Sequence, residues 1–210
     1  MQRPHVFGAA YSVYVRIVRL ALAEKGIACD LTPVDIFAAD GPGRYLERHP
    51  FGRIPAFEHT GFRLYETGAI ARYVDEAFDG PALQPSDPKT RARCNQLVSI
   101  ADNYAYPHLV WGIYVERVSK PRRGAMADEA KIADAVPKAG VCLKALSDLM
   151  GDGLWLAGAQ LTLADLYAAP MFDYFLMAVE GRDMLRRHEN LAAWWSHMSA
   201  RPSVHATRPA

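Results

Sequence analysis

Cysteine is scarce in this chain, with three in 210 residues. Cys29, Cys94 and Cys142 are odd in number, widely spaced and without a C-x-x-C pair, which argues against a disulfide framework and against a zinc site. No charge of one sign dominates: 24 Lys and Arg stand against 23 Asp and Glu, for a formal net charge of +1. The basic residues are spread along the chain, so the electrostatic footprint that nucleic acid or an anionic membrane selects is missing. Long apolar runs are lacking too. None approaches the length needed to span a bilayer, and Met1 to Ala10 lacks the apolar core of a secretory signal. These absences lead us to expect a soluble protein in a reducing, cytoplasmic compartment, with no metal, no nucleic-acid partner and no membrane partner.

What is present is hydrophobic residue content of 50%, enough for one large domain or two small ones to bury a core. The first third alternates strand and helix. His5-Val6-Phe7 predicts a short strand ended by Gly8, and Val13 to Lys25 predicts a helix with Ile17, Leu20 and Ala21 on one side, closed by Gly26. Cys29 to Ile36 predicts a second strand, placed near a sheet edge by Pro33. A polar segment from Ala38 to Pro50 reads as loop with a short helix around Tyr45-Leu46. Ile54 to Phe57 and Phe62 to Tyr65, joined through His59-Thr60-Gly61, predict a hairpin. Ile70, Tyr73, Val74 and Ala77 then recur at the spacing of one buried helix face.

From Phe78 to Pro88 the punctuation by Asp79-Gly80-Pro81, Pro85 and Pro88 is too heavy for a regular element, which places a domain boundary there. Beyond it, Thr90–Val118, Asp128–Met150 and Leu163–Val179 predict long helices, with shorter pieces near Met184 and over Ala192–Ala200. Thr162-Leu163-Ala164-Asp165, followed by an apolar run, has the form of a capping box, whose role is in folding. The fold class expected is an α/β N-terminal domain over residues 1–79, followed by an all-α helical C-terminal domain over 88–210.

Three local sequences fall in order within the first domain. Phe7-Gly8-Ala9-Ala10-Tyr11-Ser12 is a strand and turn before a helix. His49-Pro50-Phe51-Gly52-Arg53-Ile54-Pro55 resembles an N-P-F-G-x-I/V-P segment, and Tyr65-Glu66-Thr67-Gly68-Ala69-Ile70 resembles an E-S/T-x-A-I segment. In this combination, with Leu161-Thr162-Leu163-Ala164-Asp165 and the closing Trp194, Arg201 and Pro202, the chain resembles the cytosolic glutathione transferases over nearly its whole length. A serine in the turn is most similar to the phi-like class of plants and related bacterial enzymes. The resemblance implies a thioredoxin-like fold for the first domain, glutathione as co-substrate, a detoxification role and a homodimer, with Phe51 either an aromatic key to the partner subunit or packed within its own loop.

On the residues, Ser12 just before the first helix reads equally as an N-cap. The resemblance adds that its hydroxyl activates the glutathione thiol. Lowering an ordinary thiol pKa of about 8.5 by two units takes roughly 2.7 kcal/mol. A hydrogen bond to the ionised sulfur supplies about 1.5–3 kcal/mol, and a helix terminus about 0.3–1. One hydroxyl at a helix start is therefore enough, and Tyr11 and Tyr14 are the alternative donors. The resemblance further implies that Pro55 follows a cis bond and that the Ile54 backbone pairs with the cysteinyl part of glutathione; Arg53 stands where phi-like members often have a glutamine touching the peptide, and its charge either favours a glutathione carboxylate or is only solvated. It gives Glu66 to the γ-glutamyl ammonium and Thr67 to its carboxylate, a division that matches the preference of a helix N-terminus for anions. Asp40-Gly41 departs from the family, which carries basic residues there for the glycyl carboxylate; Arg44 or Arg53 would have to replace them.

The electrophile pocket is expected between the domains, from Tyr11, Phe37, His108, Trp111 and Tyr114, although an aromatic stripe at helical spacing is also what a plain core looks like. Two rival readings accompany a transferase attacking small hydrophobic electrophiles. One is glutathione-dependent peroxidase activity at the same site, and the other is a non-catalytic binding protein that keeps the fold.

Overall fold

The computed structural model describes residues 2–38 and 43–209, so Asp40-Gly41 lies outside the described residues. The chain divides into two compact units, Met1–Leu83 with Pro202–Ala210, and Gln84–Arg201.

In the first unit, β1 (His5–Phe7) leads through a turn into α1 (Val13–Glu24), followed by β2 (Asp30–Thr32), a 3-10 turn over Gly43–Glu47, β3 (Ala56–His59), β4 (Phe62–Tyr65) and α2 (Thr67–Ala77). The four strands form one sheet in the order β2-β1-β3-β4. β1 runs parallel to β2, with Val6 opposite Leu31, and antiparallel to β3, with Val6 opposite Phe57. This mixed sheet with α1 and α2 is the expected thioredoxin-like arrangement. Its apolar interior joins Val6 and Phe57 to Val15, Ile17, Val18, Leu20, Ile70 and Val74, none more than 1% exposed. α1 ends as expected: Gly26 takes φ +72°, and its N–H and that of Ile27 return to Ala23 O and Leu22 O.

Several element limits differ from the sequence expectation for identifiable reasons. β2 stops at Thr32 rather than Ile36 because Pro33 has no N–H to donate. The hairpin starts at Ala56, after Pro55, and turns on Thr60 and Gly61, both at positive φ as a tight two-residue turn requires. On α2, Ala77 faces solvent and Ala71 is buried instead.

The second unit is helical. α3 (Pro88–Ile100) carries Pro at its first position behind the Asp87 cap, and runs into a π-helix over Ala101–Ser119 that ends in the short α4 (Lys120–Arg122). Lys120 N–H returns to Val115 O, five residues back. α5 (Glu129–Met150) is capped by Asp128, whose carboxylate accepts from Ala130 and Lys131 N–H. α6 (Leu163–Phe175), α7 (Val179–Leu185) and α8 (Glu189–Ser199) follow. α6 is the buried centre of this unit, with every residue inside. The capping box at its start is present. The Asp165 carboxyl group also accepts from Leu156 N–H at 2.8 Å and Trp194 Nε1–H at 2.9 Å, tying three segments to one buried side chain.

The last helix, α9 (Pro202–Thr207), was expected within the helical domain but belongs to the first unit. Arg19 of α1 donates to Ala206 O and Thr207 O, and Ser203 Oγ donates to Glu24. These contacts are tertiary, so no local pattern announces them. Among the described residues no helix is long and apolar enough to cross a membrane, and no cluster of His, Cys, Asp or Glu has the grouping of a metal site.

Candidate active site

Ser12 stands at the mouth of α1 with extended backbone angles, φ −67° and ψ 129°, and its Oγ accepts from Val15 N–H at 3.4 Å. It is half-buried. A hydroxyl has one proton to give and two lone pairs to accept with. Capping occupies a lone pair and leaves the proton available, so the cap and the thiol-donor readings are compatible. Tyr11 beside it is 51% exposed, and Tyr14 is half-buried on α1.

The Ile54 segment lies against this turn. A Cβ on Gly8 would collide with Val15 Cγ2 and stand 3.2 Å from Ile54 Cβ, so only glycine lets the strand end, the start of α1 and Ile54 approach this closely. The Ile54–Pro55 peptide bond is cis, as the family resemblance implied. Tyr45, from the 3-10 turn, packs with Phe7 and Ala56 in a small core that Val34, Ile36 and Ile54 cover. Its hydroxyl donates to Arg53 O at 2.7 Å, and burial pushes its pKa up to about 12. Arg53 and Arg44 are exposed.

The third segment is the start of α2. Glu66 occupies its N-cap position at φ 71°, ψ 115°, a region that a side chain with a Cβ enters at a cost of about 1–3 kcal/mol. Its carboxylate makes no capping bond and is exposed, while Thr67 is buried. The first N–H groups of a helix have no partner within it, so a helix whose cap withholds its side chain keeps them for an anion.

The aromatic side chains expected around an electrophile come from both units, and those of the second unit have different neighbours. Phe37 is 68% exposed on the first unit, its N–H held by Asp35 Oδ1. His108 and Trp111 line a groove of about 600 Å³ between the π-helix and α5, in company with Glu116, Asp128, Lys131 and Asp134. Burial lowers the His108 pKa, with Lys138 adding to the effect. Tyr114 has another neighbour: its ring stacks on Tyr174 of α6 with centroids 4.5 Å apart.

One residue that sequence reasoning treated only as part of a motif proves to be central. His49 is 2% exposed and lies in a box of rings, with Tyr65 at 4.9 Å, Phe51 at 6.2 Å and Tyr45 at 6.3 Å between centroids. The spacing 45, 49 along one helical turn was the only signal available, since Tyr65 arrives from a different strand.

A thioredoxin-like unit carrying a hydroxyl-capped helix mouth, a cis-proline segment and an acidic, strained helix start, together with a helical unit, defines the class of glutathione-binding transferases. Residues 6–82 match the family Glutathione S-transferase, N-terminal domain, and residues 105–202 match Glutathione S-transferase, C-terminal domain. Glutathione S-transferase F12 of Arabidopsis thaliana is 30% identical over 202 residues, covering 94% of both chains, and a glutathione S-transferase of Hyoscyamus muticus is 30% identical over 93% of both. Among solved structures, glutathione transferase F7 of Populus trichocarpa superposes with a TM-score of 0.86 at 28% identity over 97% of each chain. Glutathione S-transferase III in its apo form gives 0.87 at 25%, over 98% of this chain and 95% of that one. The chain belongs to the glutathione S-transferase family, and its phi-like character agrees with these relatives.

Proposed function

We propose that this protein uses glutathione as co-substrate, holds it on the first unit, and has Ser12 donate a hydrogen bond to the sulfur so that the thiolate attacks a small hydrophobic electrophile. The observation that carries this reading is the Ser12 cap, which fixes the hydroxyl oxygen at the helix mouth through Val15 N–H and leaves its proton for an anion. Ile54 offers backbone groups to the cysteinyl part, with Pro55 and Arg53 beside it. The α2 start, with Thr67, takes the γ-glutamyl carboxylate, and Glu66 faces its ammonium.

Tyr11, Phe37, His108, Trp111 and Tyr114 are our proposed electrophile contacts. The four charged residues in the groove of His108 and Trp111 favour Tyr114 over that pair as an apolar wall. We take the protein to be a homodimer keyed by Phe51, which is 70% exposed, acting in detoxification in the cytoplasm, where free Cys29, Cys94 and Cys142 suit a reducing setting.

The test is steady-state conjugation of a chlorinated aromatic alongside reduction of cumene hydroperoxide, with calorimetry of glutathione binding. Conjugation with binding in the millimolar range or tighter is expected. Binding without turnover of either substrate would leave a non-catalytic binding protein, and no binding at millimolar glutathione would refute the site. Light scattering of the 23.3 kDa chain should give twice the monomer mass; a monomer at micromolar concentration would refute the dimer. Recovery of the protein from a cell's membrane or secreted fraction would count against the cytoplasm.

A further inference from the structure

One side chain links two of the segments proposed for glutathione. His49 begins the segment that ends in Arg53-Ile54-Pro55, and its ring packs on Tyr65, the residue before Glu66. Gly52 N–H donates to His49 O, His49 N–H donates to Tyr45 O, and the Tyr45 hydroxyl in turn holds Arg53 O. Phe51 closes the box against both His49 and Tyr65. The imidazole thus sets the spacing between the segment proposed to pair with the cysteinyl backbone and the one proposed to hold the γ-glutamyl end.

The box disfavours a charged ring. His49 is 2% exposed, and among the described residues its Nδ1 has no hydrogen-bond partner. Charging a ring walled by Tyr45, Phe51 and Tyr65 sacrifices hydration that the aromatic faces replace only in part. Two charged groups act on it: Glu66 favours the imidazolium, and Arg53 opposes it. Burial is the largest influence and holds the pKa below the ordinary histidine value. Glu66 is also the carboxylate proposed for the ligand's ammonium, so a charged His49 and that ammonium draw on the same anion.

We infer that His49 is a positioning residue that sets an acid limit on glutathione binding: neutral, it spaces the two binding segments, and protonated, it competes with the γ-glutamyl ammonium for Glu66. Linkage requires the reverse as well, so bound ligand makes His49 harder to protonate. The sign follows from the depressed pKa: above the ordinary histidine value of about 6.5 the ring is neutral bound or free, and the penalty grows as pH falls below it.

This inference rests on the proposed glutathione site, and the experiment separates the two. Binding of S-methylglutathione, whose sulfur does not titrate, is measured by calorimetry from about pH 7.5 down to about pH 5, a range that spans the ordinary histidine value. The wild-type protein is expected to lose affinity about three- to tenfold across that range. His49→Phe keeps a ring in the box without a titrating nitrogen, and His49→Gln keeps a polar group without one. Each variant that folds is compared with its own affinity at neutral pH, whatever that affinity is, and its profile should be flattened at the acid end. A flat wild-type profile, or an acid loss that persists in both variants, would overturn the role of His49 while leaving the site intact. No binding by the wild-type protein at neutral pH would overturn the site itself, and this role with it.

Discussion

Replacing Ser12 separates two contributions made by one oxygen. As a cap, Oγ accepts from Val15 N–H at 3.4 Å, a long bond that places its worth at the low end of the usual 0.5–2 kcal/mol. As a donor to a thiolate, the same hydroxyl is worth about 1.5–3 kcal/mol, which is a thiol pKa change of roughly one to two units. Ser12→Ala loses both. Ser12→Gly loses the donor, but glycine at an N-cap costs only a few tenths of a kcal/mol relative to serine. We expect Ser12→Ala to lose about 0.5–1 kcal/mol of stability and Ser12→Gly markedly less, while both raise the pKa of bound glutathione by about one to two units. At neutral pH that lowers kcat/KM by about three- to twenty-five-fold, since only the thiolate attacks and its fraction falls as a pKa of about 6.5 rises to about 7.5–8.5. The assay is the ultraviolet absorbance of the thiolate against pH, read beside denaturant midpoints for both variants. A wild-type thiol pKa in Ser12→Gly would refute the mechanism and pass the donor role to Tyr11 or Tyr14, to be tested as Tyr11→Phe and Tyr14→Phe.

Glu66→Gly should move stability and binding in opposite directions. Relief of the φ 71° conformation keeps the melting midpoint level or raises stability by about 1 kcal/mol, while loss of a charge-assisted contact weakens glutathione binding by about ten- to a hundredfold; unchanged binding would remove Glu66 from the site. Asp165→Ala strands the Leu156, Thr162 and Trp194 N–H donors inside α6 and its neighbours, for a loss of about 3–5 kcal/mol by urea unfolding. Asp165→Asn, which keeps the shape and part of the accepting capacity, should lose less, and equal losses from the two would show that the hydrogen bonds are not what the carboxylate contributes.

The sequence is most legible where a local rule acts alone. The limits of α1 follow from its apolar side and Gly26, and the start of α6 follows from Thr162 and Asp165, because caps and periodicity are written within a few residues. Ser12 as a helix-mouth hydroxyl is legible for the same reason. Legibility fails where distant segments decide. That Pro202–Thr207 joins the first unit depends on Arg19 and Glu24, nearly the whole chain away. The box around His49 needs β4 to bring Tyr65 beside it. The positive φ of Glu66 is hidden because glutamate gives no hint of a conformation usually left to glycine. Trp111 and Tyr114, three residues apart on one helix, were grouped by spacing, yet one lines a groove against α5 and the other stacks on α6.

The three segments assigned to glutathione all lie where the backbone leaves regular structure, and each is held there by a rigid neighbour. Ser12 is extended just before α1, with its oxygen fixed by the first turn. Ile54 follows a segment tied down by Tyr45 and is pressed against the close approach at Gly8. Glu66 is strained between β4 and α2, two elements with settled pairing and packing. Regular elements spend their backbone groups on one another, so free donors and acceptors for a peptide ligand occur only at such breaks. Precision then comes from the packed elements on either side, and the ligand meets groups that need little further ordering. Under the proposed function, thiol activation rests on the Ser12 hydroxyl that this backbone geometry holds at the helix mouth. In the same reading, choice of electrophile falls to the proposed contacts Tyr11, Phe37 and Tyr114.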